Sequence, residues 1–261
     1  MKTDKTARCT ISDDGQVLDL HAPKDWTELT DDQFKFAMHL LGCIKEPVEI
    51  KTRLLFYLCE ITVEKYLHNG VRCSMVQEGR IRYFNISTEQ VQSMIHEFDF
   101  VDDFDTKGRR LEYVAKCFPV DKDFHGVSFK TYINVEIIYQ NFLRTKHPEL
   151  LDGMFKLMYR TAAGQEPRKF VLTQAQRMNC FCWFVHVKNN FSKVFPHFFR
   201  PVNSTALPDM RKVIDAQIRA LTKGDIVKEE LVLQQDCWRA LTELDALARE
   251  AEEFERKYGK S

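Results

Sequence analysis

The sequence has little glycine, no net charge and no long hydrophobic run. Ten glycines among 261 residues are few for a β-rich protein and favour a helical one. The 38 Lys and Arg residues balance 38 Asp and Glu residues, so no overall field draws the chain to nucleic acid or to a membrane surface. No apolar run reaches the roughly 18–20 residues that a membrane-spanning helix requires. We therefore expect a soluble, mainly helical protein without a membrane partner.

An export signal and a disulfide pattern are also missing. Residues 1–14 are charged and no hydrophobic segment follows them, which predicts no secretory signal. The eight cysteines are scattered, and many lie inside apolar helical patterns, which is typical of reduced and buried thiols. Both features predict a cytoplasmic protein.

Recognisable catalytic motifs are absent as well, since the sequence contains no GxSxG, P-loop or GxGxxG pattern. Cys180 or Cys182 with His186 is the local thiol–imidazole pairing considered for nucleophilic catalysis. It lies in the most apolar stretch, whereas a reactive thiol needs a partly exposed, electropositive setting. Cys182 with His186, and His39 with Cys43, have an i,i+4 spacing that suits zinc, yet a structural zinc site needs four ligands. The sequence thus predicts no enzyme activity, no cofactor and no metal site.

The expected fold class is mainly α, with helical, bundle-like lobes, small β-hairpins near the N-terminus and a C-terminal αα-hairpin that carries a long heptad helix. Turn signals at residues 13–15 and 78–79 predict the two β-hairpins. Residues 1–125 are expected to form an α+β lobe, residues 126–203 a central helical lobe, and residues 204–261 the αα-hairpin.

Capping signals predict where several helices begin. Thr30 with Gln33, and Thr173 with Gln176, have the spacing of capping boxes. Pro47 predicts the start of a second helix, which we expect the turn signal at residues 69–70 to end. The apolar residues 180–187 predict that the helix after Thr173 is the central buried helix.

Charge is unevenly distributed along the chain. Residues 141–203 contain ten Lys and Arg against three Asp and Glu, with aromatic residues among the cations. Cations beside stacking rings also hold single-stranded nucleic acid, so this basic region is an alternative binding surface. The acidic and aromatic residues at 96–105 fit an ordered loop, a mobile arm or a docking peptide.

The last helix has the most distinctive pattern. Its apolar residues alternate at spacings of four and three, as in helices that pack lengthwise, and they are Leu233, Cys237, Ala240, Leu244, Leu247, Ala251, Phe254 and Tyr258. This heptad seam either packs in the core of its own subdomain or meets a helix of another chain, including a second copy. Phenylalanines before Pro201 form a second candidate docking patch. The candidate partner-binding residues are Phe195, Phe198, Phe199, Leu244, Leu247, Ala251, Phe254 and Tyr258.

Four segments resemble uncharacterised proteins encoded in prophage-like regions of Bacteroidales: residues 26–41 (WTELTDDQFKFAMHLL), 150–160 (LLDGMFKLMYR), 183–199 (WFVHVKNNFSKVFPHFF) and 217–258. Those proteins look like products of tail-morphogenesis genes near the tape-measure gene. The resemblance implies a tail assembly chaperone in the bacterial host cytoplasm, whose partners are other phage tail proteins and above all a tape-measure-like helical client. It supplies no defined motif, so no functional residue is carried over from it.

Two alternatives remain open at this stage. One is a structural tail adaptor or completion protein that is retained in the particle. The other is a nucleic-acid-binding protein that uses the basic region 141–203.

Overall fold

The computed structural model describes residues 7–13, 16–200 and 209–258. Its described part is mainly α, with three small antiparallel sheets, and this confirms the expected class at that coarse level. The chain divides into two compact units. Unit 1 is Met1–Arg109 with Thr173–Met178, and unit 2 is Arg110–Leu172 with Asn179–Ser261.

Unit 1 begins with the predicted hairpin, in which β1 (Ala7–Asp13) pairs antiparallel with β2 (Gln16–Ala22). The turn residues 14–15 lie outside the described part. Two helices follow, α1 (Asp31–Cys43) and α2 (Pro47–Leu58). The capping box of Thr30 and Gln33 is present, and Pro47 occupies the start of α2, so both predicted helix starts are confirmed.

A three-stranded antiparallel sheet follows α2, and it corrects one prediction. Its strands are β3 (Thr62–Leu67), β4 (Gly70–Gln77) and β5 (Arg80–Ser87), in the order β3–β4–β5. The helix expected to continue to residue 69 ends at Leu58, because the next residues are β-branched and aromatic and pair with β4. Gly70 has a φ of +152°, and a Cβ there would lie 2.1 Å from the Ile86 carbonyl oxygen. The 69–70 signal therefore marks a hairpin turn.

The acidic and aromatic segment 96–105 is an ordered part of unit 1. The short helix α3 (Thr88–Met94) starts at a capping box on Ser87 and continues into a 3-10 helix, Ile95–Val101. That 3-10 helix buries Phe98 and Val101. The Trp26 indole N–H donates to the Asp103 carbonyl oxygen at 3.2 Å. Of the three expectations for this segment, the ordered loop is the correct one.

Unit 2 contains most of the helices. They are α4 (Phe129–Thr145), α5 (Leu150–Met158), α6 (Gln174–Val194), α7 (Met210–Thr222), α8 (Glu229–Leu233) and α9 (Cys237–Tyr258). Residues 174–178 of α6 belong to unit 1. A two-stranded sheet joins β6 (Cys117–Pro119) to β7 (Tyr159–Thr161). The middle of α6 is the buried centre of the unit, as predicted, with Cys180, Trp183 and Phe184 fully covered.

The long C-terminal helix begins later than the heptad pattern predicts. Leu233 ends α8, and α9 starts at Cys237, so the seam is broken between them. The Asp236 carboxylate accepts hydrogen bonds from the backbone N–H of Gly126 at 2.5 Å and of Trp238 at 2.8 Å. The bond from Gly126 fastens the start of α9 to the residues before α4, within unit 2.

Across the part of the chain that the structure describes, no helix combines the length and the apolar character that crossing a membrane demands.

Candidate partner-binding site

Unit 2 contains an open apolar groove with a volume of about 830 Å³. The helices α4, α6, α7 and α9 line it, together with residues that follow α6. Its apolar lining includes Phe198, Phe199, Met210, Val213, Ile214 and Leu247. A concave apolar surface between helices is the kind of site in which an amphipathic helix is bound.

The helix α7 supplies one side of this groove through its apolar stripe. Asp209 caps the helix by accepting a hydrogen bond from the Arg211 backbone N–H at 3.1 Å. Lys223 ends it in the left-handed conformation. Thr222 is the one buried residue of α7, and the apolar stripe itself is half-buried. The apolar stripe of α7 is therefore only partly covered by the rest of unit 2.

The residues that follow α6 begin with a buried anchor. Phe195 packs its ring against those of Phe191 and Trp238, at centroid distances of 5.8 Å and 5.5 Å. Aromatic contacts of this kind add to the stability that burial provides. Phe195 thus belongs to the core of unit 2.

Hydrogen bonds to α9 hold the next residues beside the groove. Asp245 Oδ1 accepts the backbone N–H of His197 at 2.8 Å and that of Phe198 at 2.9 Å. Phe198 and Phe199 pack edge to face, with centroids 4.8 Å apart, and both remain half-buried. A single carboxylate therefore anchors the backbone of His197 and Phe198 beside the groove.

A second carboxylate on α9 reinforces this arrangement. Glu252 lies 2.9 Å from His197 Nδ1 and 3.0 Å from Arg200 Nη1, one carboxylate oxygen to each partner. The hydrogen bond from His197 and the charges of both neighbours hold the pKa of Glu252 below its ordinary value, against the opposing effect of burial. Asp245 and Glu252 together join the Phe198–Phe199 edge to α9.

The two halves of α9 have different surroundings. Cys237, Ala240, Leu241 and Leu244 in its first half are buried in unit 2. Leu247 is half-buried at the groove, and Ala251 is exposed. Phe254 and Tyr258 are 65% and 69% exposed, with their rings 4.8 Å apart. The heptad seam is thus a core element in its first half and an unpaired apolar face in its second.

This distribution corrects two of the candidate partner-binding residues. Phe195 and Leu244 are only 4% and 5% exposed, because both pack inside unit 2. The other six candidates remain accessible in part or in full, and they are Phe198, Phe199, Leu247, Ala251, Phe254 and Tyr258. The groove brings Phe198, Phe199 and Leu247 together, and the face on α9 continues from Leu247.

Three of the aromatic residues in the basic region 141–203 lie in the core of unit 2. Trp183, Phe191 and Phe195 are buried, so their rings are not available to stack on bases. Lys188 Nζ lies 2.6 Å and 2.7 Å from the two oxygens of Glu136, which neutralises its charge locally. Residues 201–203 lie outside the described part.

The thiol–imidazole pairing is not arranged for nucleophilic chemistry. Cys180 and Cys182 are fully buried, and this burial raises the pKa of both thiols far above the ordinary value. A nucleophilic cysteine needs the opposite shift. His186 Nε2 lies 3.3 Å from Asp123 Oδ1.

In the described residues, no further zinc ligands lie near the two Cys–His pairs whose i,i+4 spacing suits zinc. Cys43 Sγ lies 3.7 Å from His39 Nδ1 on the surface of α1. Within the described residues, no three His, Cys, Asp or Glu side chains are grouped closely enough to hold a metal ion.

Sequence reasoning missed the carboxylates that hold the groove together. Asp245 and Glu252 contact residues 47 to 55 positions earlier in the chain, and no periodicity or motif connects such distant positions. On spacing alone, both would be assigned to helix-surface pairs with the arginines four residues later.

Comparisons with family models, with curated proteins and with solved structures found no match to this chain.

Proposed function

We propose that this chain is a non-enzymatic binding protein for an elongated helical client, and that it acts as a tail assembly chaperone for a tape-measure-like phage protein. The observation that carries the proposal is the exposed apolar face on the second half of α9, which continues from the groove at Leu247. The phage role rests on the resemblance of residues 26–41, 150–160, 183–199 and 217–258 described above.

The face and the groove suit a rod-shaped partner. Ala251, Phe254 and Tyr258 follow Leu247 at spacings of four, three and four. At about 1.5 Å per residue, this stretch of α9 extends the groove by about 16 Å. A helical client would place its own apolar stripe along this surface, as amphipathic helices do in other apolar grooves.

Point changes on the exposed face test this proposal better than truncation does. Removal of the chain from Leu233 onward would also delete Cys237, Leu241 and other core residues, so loss of binding could then reflect unfolding. Phe254 and Tyr258 are largely exposed, and their replacement leaves the core of unit 2 intact.

The experiment is co-purification of a co-expressed tape-measure-like protein with the double variant Phe254→Glu and Tyr258→Glu. We expect captured client to fall about ten-fold or more, because two carboxylates would have to be buried against its apolar stripe. Arg256→Glu is the matched control, since it introduces the same residue on the opposite side of the same helical turn. Undiminished capture by the double variant would refute the proposal.

The presence or absence of the chain in the finished particle distinguishes a structural adaptor or completion protein from a chaperone. A chaperone should be missing from purified virions, whereas an adaptor should remain in them. Detection of the chain in virions by mass spectrometry would therefore favour the adaptor.

A further inference from the structure

We infer that the second half of α9 also binds the same segment of a second copy of this chain, in an antiparallel arrangement. This inference goes beyond the proposed function and involves no client. It rests on the exposed face of α9 and on the charges that flank it.

The face has the form of a short coiled-coil seam. In a heptad labelled a to g, Leu244, Ala251 and Tyr258 occupy a positions, while Leu247 and Phe254 occupy d positions. From Ala251 onward these side chains are exposed in the described structure. The small side chain of Ala251 permits close approach of a second helix.

An antiparallel pair aligns this seam with itself. In such a pair an a residue of one copy faces a d residue of the other. Ala251 then faces Phe254 of the second copy, and Leu247 faces its Tyr258. Because the pair is symmetric, every contact occurs twice. The arrangement places each Tyr258 beside the groove residue Leu247 of the opposite copy.

The flanking charges favour this direction over the parallel one. Glu250 and Lys257 occupy g positions, and Glu255 occupies an e position. In the antiparallel register Glu250 faces Lys257 of the second copy, which gives two attractive pairs by symmetry. In the parallel register Glu250 faces Glu255 of the second copy, which gives two repulsive pairs instead. Flanking charges of this kind set the orientation of paired helices.

The expected dimer is weak, because the exposed seam is shorter than two heptads. Isolated helices shorter than about 12–15 residues are marginal in water. The first half of α9 is already held in the core of unit 2, however, so the exposed half is preformed and less ordering entropy is lost on pairing. We expect a reversible monomer–dimer equilibrium that depends on concentration.

Self-association would cover the same apolar face that the proposed client uses. Client and second copy would then compete for Phe254 and Tyr258. A chain that pairs with itself until a client displaces the second copy would keep this apolar face out of water.

Sedimentation velocity of the full chain over a range of concentrations, at low salt, tests the inference. We expect Glu250→Lys and Lys257→Glu each to weaken the dimer, on the order of five-fold, because each change replaces two attractive pairs with two repulsive ones. The double variant Glu250→Lys with Lys257→Glu should restore the original affinity. Glu253→Lys is the control, since it makes the same charge change on the outward side of α9 and should leave the equilibrium unchanged.

Three results would overturn the inference. The first is a chain that stays monomeric at every concentration, and the second is a double variant that fails to recover. The third is a stronger dimer with Glu250→Lys, which would indicate parallel pairing opposite Glu255. No client is present in this experiment, so its failure leaves the proposed client binding intact, and failure to capture the client leaves the dimer intact.

Discussion

Lys51 on α2 is a buried cation held between two carboxylates. Its ammonium lies 2.5 Å from both Asp99 Oδ1 and Asp102 Oδ2. Burial acts to lower the pKa of Lys51, but the hydrogen bonds to Asp102 and Asp99 outweigh it and raise that pKa above its ordinary value. The same contacts tie the start of the acidic and aromatic segment to α2.

We expect Lys51→Met to lower the free energy of unfolding by about 1–3 kcal/mol, measured by urea denaturation. The change leaves two carboxylates close together without their cation. The loss should be smaller than for a fully buried pair, because both carboxylates are about half exposed.

Lys35→Met is the matched control, since Lys35 pairs with Asp32 at 3.3 Å on the surface of α1. Its effect should stay below about 0.5 kcal/mol. Equal effects of the two variants would mean that the paired aspartates do not depend on Lys51.

At the scale of elements, Asp236 sets the start of α9. Its carboxylate accepts the Trp238 N–H in the first turn and also the N–H of Gly126. The Cys237 N–H donates to the Val127 carbonyl oxygen at 2.8 Å, which completes the junction. The seam is interrupted here because these bonds turn the chain between α8 and α9.

Asp236→Ala is therefore expected to lower the free energy of unfolding by about 1–2 kcal/mol, since helix caps contribute this much. Asp236→Asn should lose less, because its single amide oxygen can still cap the helix at Trp238, although the bond from the Gly126 N–H is lost. The comparison uses urea denaturation monitored by circular dichroism. If the Asn and Ala variants lose the same stability, the side-chain oxygen of Asp236 is not the cap.

Elements whose signals are local could be predicted from the sequence. The capping box at Thr30 and Gln33 requires neighbours only three residues apart, and it is present in the structure. At Thr173 and Gln176 both expected hydrogen bonds are likewise formed. The strand β3 was missed because no Gly, Pro or Asn marks the turn that precedes it, and because its pairing partner lies in β4.

The heptad spacing indicated which residues share one face of the last helix, but it did not indicate their burial. The role of Leu247, Phe254 and Tyr258 in partner binding stays a prediction. The same pattern includes Leu244, which is buried, because spacing cannot distinguish contacts within the chain from contacts with a partner. The groove itself depends on Asp245 and Glu252, whose partners are distant in the sequence.

At the scale of the whole molecule, most perturbed carboxylates are shifted in one direction. The pKa values of Asp25, Glu89, Asp99, Asp225, Glu230 and Glu252 all lie below their ordinary values. The largest shift is at Asp25, where the hydrogen bond from the Thr27 hydroxyl, helped by Lys107 and opposed by burial, lowers the pKa to about 2. Each shift means that the folded state binds protons less readily than the unfolded chain does at these sites.

We therefore expect the free energy of unfolding to fall when the protein is acidified. A carboxylate with a lowered pKa contributes stability that is fully present above its unfolded pKa and is lost as pH falls through the folded value. For Asp25 that window runs from the ordinary pKa of 3.8 down to about 2. The urea midpoint should be constant near neutral pH and should decrease steadily below about pH 4.5.

Asp25→Asn isolates one contribution to this acid sensitivity. The variant should be less stable than the wild-type chain at neutral pH, and the difference should shrink as pH falls from 4 towards 2, where Asp25 itself becomes protonated. Glu28→Gln is the neighbouring control, since it removes the same charge three residues away along the same turn. A difference between Asp25→Asn and wild type that stays constant down to pH 2 would mean that Thr27 and Lys107 do not favour the ionised carboxylate. In that case the acid sensitivity would have to arise at the other five carboxylates, whose pKa values are also lowered by their hydrogen bonds and neighbouring charges.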